Sequence, residues 1–271
     1  MTPPTQIDDL RAEADELNDL LLRLDAADWS RVTAFKSWTV YDVVAHLHLS
    51  DHMGLTALEG ETPFRALLRR ISAGPGSMAQ FAREWLGAVS GPALRERWHE
   101  SIHRLCDGLA AADPETRLPW AGPGMKPRMF ATARQMETWA HGWELYDLLG
   151  LPRAQHERLR NVATIGVRTF GWTFTNRGLP VPESVPYVEL SAPGGGLWRW
   201  NDPQSPDRVC GDAVDFCQVV TQVRHVQDTG LRVEGATAGR WMAMAQCFAG
   251  PPHDPPPPGS RVPPGGRPPP R

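Results

Sequence analysis

The sequence lacks several features that mark particular classes of protein. It has no surplus of basic residues, since 28 Lys and Arg stand against 31 Asp and Glu, so it has no electrostatic footprint for nucleic acid. No apolar run approaches the ~18–20 residues of a membrane span, and the acidic, polar start is not that of a secretory signal. The four cysteines show no CxxC spacing and are interpreted as reduced core residues. These absences predict a cytoplasmic protein that binds neither nucleic acid nor a membrane.

The apolar content of the chain is sufficient for a packed core. Hydrophobic residues make up 41% of the 271 residues and charged residues 22%, which favours a globular protein over a disordered one. Tryptophan is unusually frequent, with 11 residues against 3 tyrosines. Aromatic side chains often line pockets, although core packing is the simpler explanation for any single tryptophan.

Hydrophobic periodicity predicts helices over most of the first 150 residues. The predicted helices are 5–25, one that begins at Thr39, 62–72, 77–88, 91–113 and 131–150. Thr39 is a predicted N-cap, because Asp42 follows three residues later in a capping-box position. A proline- and glycine-rich loop, 114–127, leads into the last of these helices and is expected to roof its polar face.

The pattern changes in the second half of the chain. Residues 154–175 predict one more helix, and the alternating stretches PYVELSAP and LWRW, joined by GGG, predict a hairpin within a small α+β unit. The sequence thus predicts a mainly α protein with a small α+β C-terminal unit. Its parts are a helical bundle (1–152), a linking helix with a small α+β domain (153–249), and a proline-rich tail (250–271) that is expected to be disordered and inert.

Three polar side chains on the helix 131–150 indicate a metal site. Glu137, His141 and Glu144 share one face at helical spacing. A carboxylate and an imidazole four residues apart can bind one divalent cation, and catalytic zinc commonly has three protein ligands and an open position. The alternative is an ordinary surface Glu–His pair that contributes roughly a few tenths of a kcal/mol. The bulky apolar neighbours favour the metal site, because burial of an unpaired carboxylate is costly.

The helix that begins at Thr39 offers three histidines for the third ligand position. The ~100° step of a helix turns His48 and His52 away from His46, so the three cannot all bind one ion. His46 is flanked by valines and leucines, which suits a buried ligand, but an ordinary hydrogen-bonded histidine explains this position equally well. His48 and His52 are expected to be solvated or to line a pocket.

Two further polar pairs are weaker candidates. His99 and His103 have the spacing of a metal-binding pair, but their charged neighbours indicate a solvated helix flank. Arg224 and His225, just past a predicted helix, are candidates to contact an anionic substrate or cofactor by charge alone, and the dipole of that helix also favours such a pair.

Two stretches of the sequence resemble a known family. SWTVYDVVAHL, followed later in the chain by METWAHGWELYD, resembles the DinB-like metal-binding four-helix bundles, in the branch of mycothiol-dependent maleylpyruvate isomerase. The C-terminal stretches VELSAPGGGLWRW and DAVDFCQVVTQVRH are similar to those of an uncharacterised actinobacterial group of that superfamily. The resemblance covers about residues 5–252.

This resemblance implies that His46, Glu137 and His141 bind a divalent metal. Zinc is the first expectation, with nickel, iron and manganese as alternatives. Many relatives carry Asp three residues after the last of these ligands, where this chain has Glu144. Glu144 is expected to orient His141 or to act as a base on a metal-bound water, against the alternative of a solvent-facing acid.

The resemblance also implies a function. An open-site metal would activate a thiol, a water or a substrate carbonyl, with mycothiol as the co-substrate in the nearest named chemistry. Thiol transfer, isomerisation and related lyase or cyclisation chemistry on a specialised metabolite all remain open, because a fold does not fix the reaction. The alternative is a non-catalytic protein that sequesters a small molecule or a thiol adduct. A small-molecule substrate is expected, and a homodimer is an open alternative.

Overall fold

The computed structural model describes residues 5–74 and 76–261. The chain divides between Leu145 and Tyr146 into two compact units. The first unit is built from helices, and the second combines short helices with a small sheet. The predicted fold class, mainly α with a small α+β unit at the C-terminal end, is therefore confirmed. In the described ranges, no helix is both long enough and apolar enough to cross a membrane.

The first unit contains the helices that were predicted from periodicity, with ends shifted by a few residues. They are α1 (Gln6–Leu21), α2 (Val40–Glu59), α3 (Glu61–Ala73), α4 (Met78–Leu86), α5 (Gly91–Ala111) and α6 (Pro127–Leu149), the last of which runs past the division between the units.

Helix α2 lies at the centre of the first unit. It contacts α3, α4 and α5, and its apolar side chains are buried on several sides, which is the pattern of a core helix rather than a surface one. Gly54 permits this close packing: a Cβ atom at Gly54 would lie 2.9 Å from the side chain of Leu105 on α5 and 3.1 Å from Phe130 on α6. A polar side chain of α2 that faces these helices is consequently surrounded by closely packed side chains.

The second unit contains four further helices and a four-stranded sheet in the described residues. The elements are α7 (Leu159–Arg168), α8 (Phe170–Thr175), β1 (Tyr187–Ser191), β2 (Leu197–Trp200), β3 (Arg208–Asp212), α9 (Ala213–Val220), β4 (Arg232–Glu234) and α10 (Ala236–Met242). The strand order is β2-β1-β3-β4, with β1 antiparallel to β2 and parallel to β3. The predicted hairpin is thus present. The predicted helix 154–175 is instead two helices that meet at Thr169, whose hydroxyl donates to the carbonyl groups of Ile165 and Gly166.

Helix α9 ends at Val220, and Gln222 just beyond it adopts a left-handed backbone with φ 59°. The buried side chain of Gln222 donates hydrogen bonds to the carbonyl oxygen of Ala245 at 2.9 Å and to that of His253 at 2.8 Å. These bonds satisfy the amide and hold residue 253 of the proline-rich segment against its own unit.

The proline-rich segment has further contacts before residue 262. Arg177 pairs with Asp254 at 2.8 Å. The N–H group of Gly259 donates to Asp228 at 2.9 Å, and Arg261 donates to a backbone carbonyl at 3.1 Å. Residues 253–261 therefore do not match the expectation of an unattached tail, because the polar groups between the prolines find partners. The rest of the predicted tail, 262–271, lies outside the described residues.

Truncation of the tail at two points should separate these two parts. A chain that ends at Pro252 loses several hydrogen bonds of roughly 1 kcal/mol each, so its Tm should fall by about 2–4 °C for each kcal/mol lost. A chain that ends at Arg261 keeps every contact described above and serves as the control. Scanning calorimetry of the two chains beside the full protein measures the effect, and equal Tm values for both truncations would show that the contacts contribute nothing.

Candidate metal centre

The helix that carries His46 is fixed at its start by a capping box. The Thr39 hydroxyl accepts a hydrogen bond from the N–H group of Asp42 at 3.2 Å, and the Asp42 carboxylate accepts one from the N–H group of Thr39 at 2.9 Å. Arg83 of α4 pairs with Asp42 at 2.5 Å. The predicted N-cap is confirmed, and it sets His46 about two turns into α2.

The structure brings the three predicted ligands together. His46 Nε2 lies 3.4 Å from Glu137 Oε2, and His141 Nε2 lies 3.7 Å from the same oxygen. One donor atom of each of the three residues lies within 4.8 Å of the donor atoms of the other two. Glu137 and His141 are one turn apart on α6, so the arrangement joins this helix to α2. Their role as metal ligands stays a prediction.

The separations between these atoms fit a shared metal ion. Both exceed the ~2.7–3.2 Å of a normal N–H···O hydrogen bond. Two ligands bound to one tetrahedral ion at ~2.0–2.1 Å lie about 3.4 Å apart, which is close to the spacing found. Two imidazoles and one carboxylate are also a ligand set that zinc accepts. The group has three donors among the described residues, so a tetrahedral ion would keep one position for another ligand.

The electrostatics of the site favour the protonation states that metal binding requires. Burial alone would raise the pKa of Glu137, but the nearby His46, His141 and Arg134 lower that pKa to about 2. Burial lowers the pKa of His141 to about 3, and His46 adds to the effect. A metal binds ionised carboxylates and neutral imidazoles, so both side chains are ready at neutral pH.

Two aromatic residues form a wall against the imidazoles. The Trp38 ring stacks on His141 with centroids 5.8 Å apart and planes 16° apart, and its centroid lies 5.2 Å from that of His46. Phe35 meets His141 edge-on at 5.1 Å. This aromatic wall, Phe35 and Trp38, places apolar surface beside the donors, which strengthens their electrostatic interactions.

The turn between Phe35 and Trp38 has an unusual backbone. Lys36 and Ser37 are both left-handed, with φ 50° and 56°, and Trp38 N–H donates to the carbonyl of Phe35 at 2.8 Å. Left-handed residues other than glycine are uncommon, and such strain tends to persist at functional sites. Sequence reasoning missed this turn, although a tryptophan directly before a helix cap was a signal that could have drawn attention to it.

The loop 114–127, which was expected to roof the site, makes different aromatic contacts. Its Trp120 stacks on Phe64 at 6.0 Å and meets Phe130 edge-on at 5.0 Å. The rings that contact the candidate ligands come instead from the turn before α2.

A buried ion pair links the two helices that carry the candidate ligands. Asp51 of α2 and Arg134 of α6 have side chains that are 0% and 2% exposed, and Arg134 Nε donates to Asp51 Oδ1 at 2.8 Å. Trp98 of α5 donates its indole N–H to the other Asp51 oxygen at 3.1 Å. Asp51 lies five residues after His46, and Arg134 lies three residues before Glu137. The pair therefore fixes the register between the two sets of ligands.

Removal of one partner of this pair should destabilise the protein strongly. Asp51→Ala leaves the Arg134 charge buried without compensation, so the free energy of unfolding should fall by about 3–5 kcal/mol. The double variant Asp51→Leu with Arg134→Met removes both charges and should recover part of that loss. Urea unfolding of the three proteins measures these changes. If the double variant is no more stable than Asp51→Ala, the pair does not act as a unit.

Glu144 is buried, with 5% of its surface exposed, so the alternative of a solvent-facing acid is wrong. The Nδ1 atom of His141 has no hydrogen-bond partner among the described residues. Glu144 therefore does not orient that imidazole through a hydrogen bond in this structure. Its action as a base stays a prediction.

The other two histidines of α2 lie against a tryptophan of α4. His48 is buried rather than solvated, with its ring 5.2 Å from that of Trp85, and burial lowers its pKa to about 4. His52 stacks on the same indole at 4.9 Å. Neither histidine belongs to the group of donors formed by His46, Glu137 and His141.

Arg224 and His225 make structural contacts within the second unit. Arg224 is buried and donates to Asp147 at 2.6 Å. His225 Nδ1 accepts a hydrogen bond from the N–H group of Gln227 at 3.1 Å and caps a short 3₁₀ turn. Contact of either residue with an anionic ligand stays a prediction.

Comparison with known proteins identifies the family. The model of the mycothiol maleylpyruvate isomerase N-terminal domain matches residues 10–146. Uncharacterised proteins from two strains of Mycobacterium tuberculosis are each 39% identical over 250 residues, which is 92% of this chain and 97% of theirs. The chain therefore belongs to the family defined by the mycothiol maleylpyruvate isomerase N-terminal domain, and the resemblance noted in its sequence is confirmed.

Solved structures show the same fold over a larger part of the chain. The crystal structure of the mycothiol-dependent maleylpyruvate isomerase aligns with a TM-score of 0.58 at 15% identity, over 84% of this chain and 91% of that one. A histidine-to-alanine mutant of that isomerase aligns with a TM-score of 0.55 at 15% identity, over 79% and 86% of the two chains. At this identity the likeness concerns the fold.

Proposed function

We propose that this chain is a metal-dependent enzyme of the maleylpyruvate isomerase-like type, which uses a thiol to act on a small electrophilic substrate. The observation that carries the proposal is the convergence of His46, Glu137 and His141, each of which has a donor atom within 4.8 Å of those of the other two. Family membership supports a thiol, and mycothiol is the first candidate because the solved structural neighbour is named as mycothiol-dependent.

The donor set determines the chemistry that the site can support. A divalent ion held by these three side chains would lower the pKa of a thiol in the open position and present the thiolate to an electrophile. Zn²⁺ is the first candidate, with Ni²⁺, Fe²⁺ and Mn²⁺ as alternatives, because imidazole suits zinc, nickel and iron and a carboxylate suits manganese. Glu137 supplies one negative charge and the histidines are neutral ligands, so the occupied site keeps a net positive charge that favours the bound thiolate.

The surrounding residues have proposed roles in binding and proton transfer. Phe35 and Trp38 exclude water from one side of the donors and provide apolar surface for the substrate. Lys36, on the turn between them, contributes positive charge near His141 and would attract an anionic substrate. Glu144, buried one turn beyond His141 on α6, is proposed to take up the proton that the thiol loses.

Turnover by the full-length protein tests this proposal. Zinc-loaded protein should convert maleylpyruvate only when mycothiol is present, and the rate should follow the metal content. Glu137→Gln removes a charged ligand and should lower the rate by about a hundredfold or more. His52→Gln is the matched control, because it changes a histidine of α2 outside the donor group, and it should keep a rate close to that of the unaltered protein.

Two outcomes would count against the enzyme. Stoichiometric retention of the thiol or its adduct without product would identify a sequestering protein instead. Failure of the metal-loaded protein to bind mycothiol or any other low-molecular-weight thiol would contradict the use of a thiol altogether.

A further inference from the structure

A second group of metal-binding side chains lies on another face of the first unit. His99 and His103 are one turn apart on α5, and Asp15 of α1 lies opposite them. Asp15 Oδ1 is 2.8 Å from the Nε2 atom of each histidine, and the two imidazole centroids are 4.5 Å apart. The sequence pattern predicted only a solvated flank at these histidines, because it could not show that α1 supplies a carboxylate.

The group has the composition and the access of a binding site. We propose that Asp15, His99 and His103 bind a second divalent transition-metal ion, independently of the centre formed by α2 and α6. One ligand atom from each residue lies within 4.8 Å of the others. The side chains are 48%, 30% and 31% exposed, so a hydrated ion can reach them and keep water in its remaining positions. Two imidazoles with one carboxylate favour zinc, copper or nickel over magnesium or calcium.

The charge on Asp15 suits this role. Burial would raise the pKa of this carboxyl group, but its hydrogen bonds with His99 and His103 lower the pKa below its ordinary value. The carboxylate is consequently ionised over the whole neutral range and needs no deprotonation before a cation binds.

Arg11 competes with the metal for this group. Arg11 Nη1 lies 2.7 Å from His103 Nδ1, and its other terminal nitrogen pairs with Asp107 at 2.8 Å. A guanidinium group can only donate, so His103 Nδ1 accepts, and the proton of that neutral imidazole lies on Nε2. A metal needs the Nε2 lone pair. Binding therefore moves the proton of His103 from Nε2 to Nδ1, with no net release, and Arg11 must leave Nδ1 while it keeps Asp107.

This competition distinguishes a metal site from a cluster that has only a structural role. If the cluster only fastens α1 to α5, Arg11→Met removes a contact and does not create affinity for metal. If it binds metal, the same substitution removes a competing donor and a positive charge that repels the ion, so zinc affinity should rise by about tenfold.

Zinc titration of the full chain tests the inference. Calorimetry on protein that carries His46→Ala and His141→Ala removes the first centre and should still show about one equivalent of bound Zn²⁺. In that background, His103→Gln should weaken binding by at least about tenfold, and Arg11→Met should strengthen it. Asp19→Asn is the matched control, because Asp19 is an exposed carboxylate one turn beyond Asp15 on α1.

The inference fails if zinc binding is absent in that background or if His103→Gln leaves it unchanged. It also fails if Arg11→Met weakens binding. If the variant with His46→Ala and His141→Ala does not fold, the same comparison is made in the otherwise unaltered protein. There His103→Gln should reduce the bound zinc from two equivalents to one, and an unchanged stoichiometry would contradict the second site.

Discussion

The buried ion pair between Asp51 and Arg134 is the constraint on which the geometry of the metal centre depends. Apolar side chains can slide past one another at modest cost, but a buried carboxylate and guanidinium are tolerated only when their hydrogen bonds are in place. This pair joins α2 to α6, and the Trp98 indole ties it to α5. Only one register of the helices satisfies all three groups, and in that register His46 and Glu137 face each other.

The core contains two carboxylates, Asp51 and Glu137, and the ion pair involves only Asp51. Arg134 pairs directly with Asp51 and acts on Glu137 only through its charge. Glu137 Oε2 lies 3.4 Å from His46 Nε2 and 3.7 Å from His141 Nε2, and both distances are longer than normal hydrogen bonds. Glu137 thus remains as an anionic group whose partner is best supplied by a cation. The left-handed backbone at Lys36 and Ser37 is a second feature of this site. This conformation is energetically unfavourable, and it holds the rings of Phe35 and Trp38 against the imidazoles. Backbone strain and a buried carboxylate without a short hydrogen bond to either histidine therefore occur at the same place.

Much of this arrangement could be predicted from the sequence, because local signals determine it. The capping box at Thr39, the helical spacing of Glu137 and His141, and the hairpin around GGG all depend on residues close together in the chain. What could not be predicted depends on distant partners. A charged residue such as Asp51 in a helix does not reveal its partner, and the approach of Asp15 to His99 and His103 requires knowledge of how α1 packs on α5.

Metal content tests the central claim most directly. The measurement is elemental analysis of the untagged protein that carries His99→Gln, so that only the α2–α6 centre is counted, beside the same protein with His141→Ala added. The account predicts about one equivalent of divalent metal in the first and none in the second. Equal metal contents, or no metal in either protein after reconstitution with zinc, nickel, iron and manganese, would contradict a centre formed by His46, Glu137 and His141.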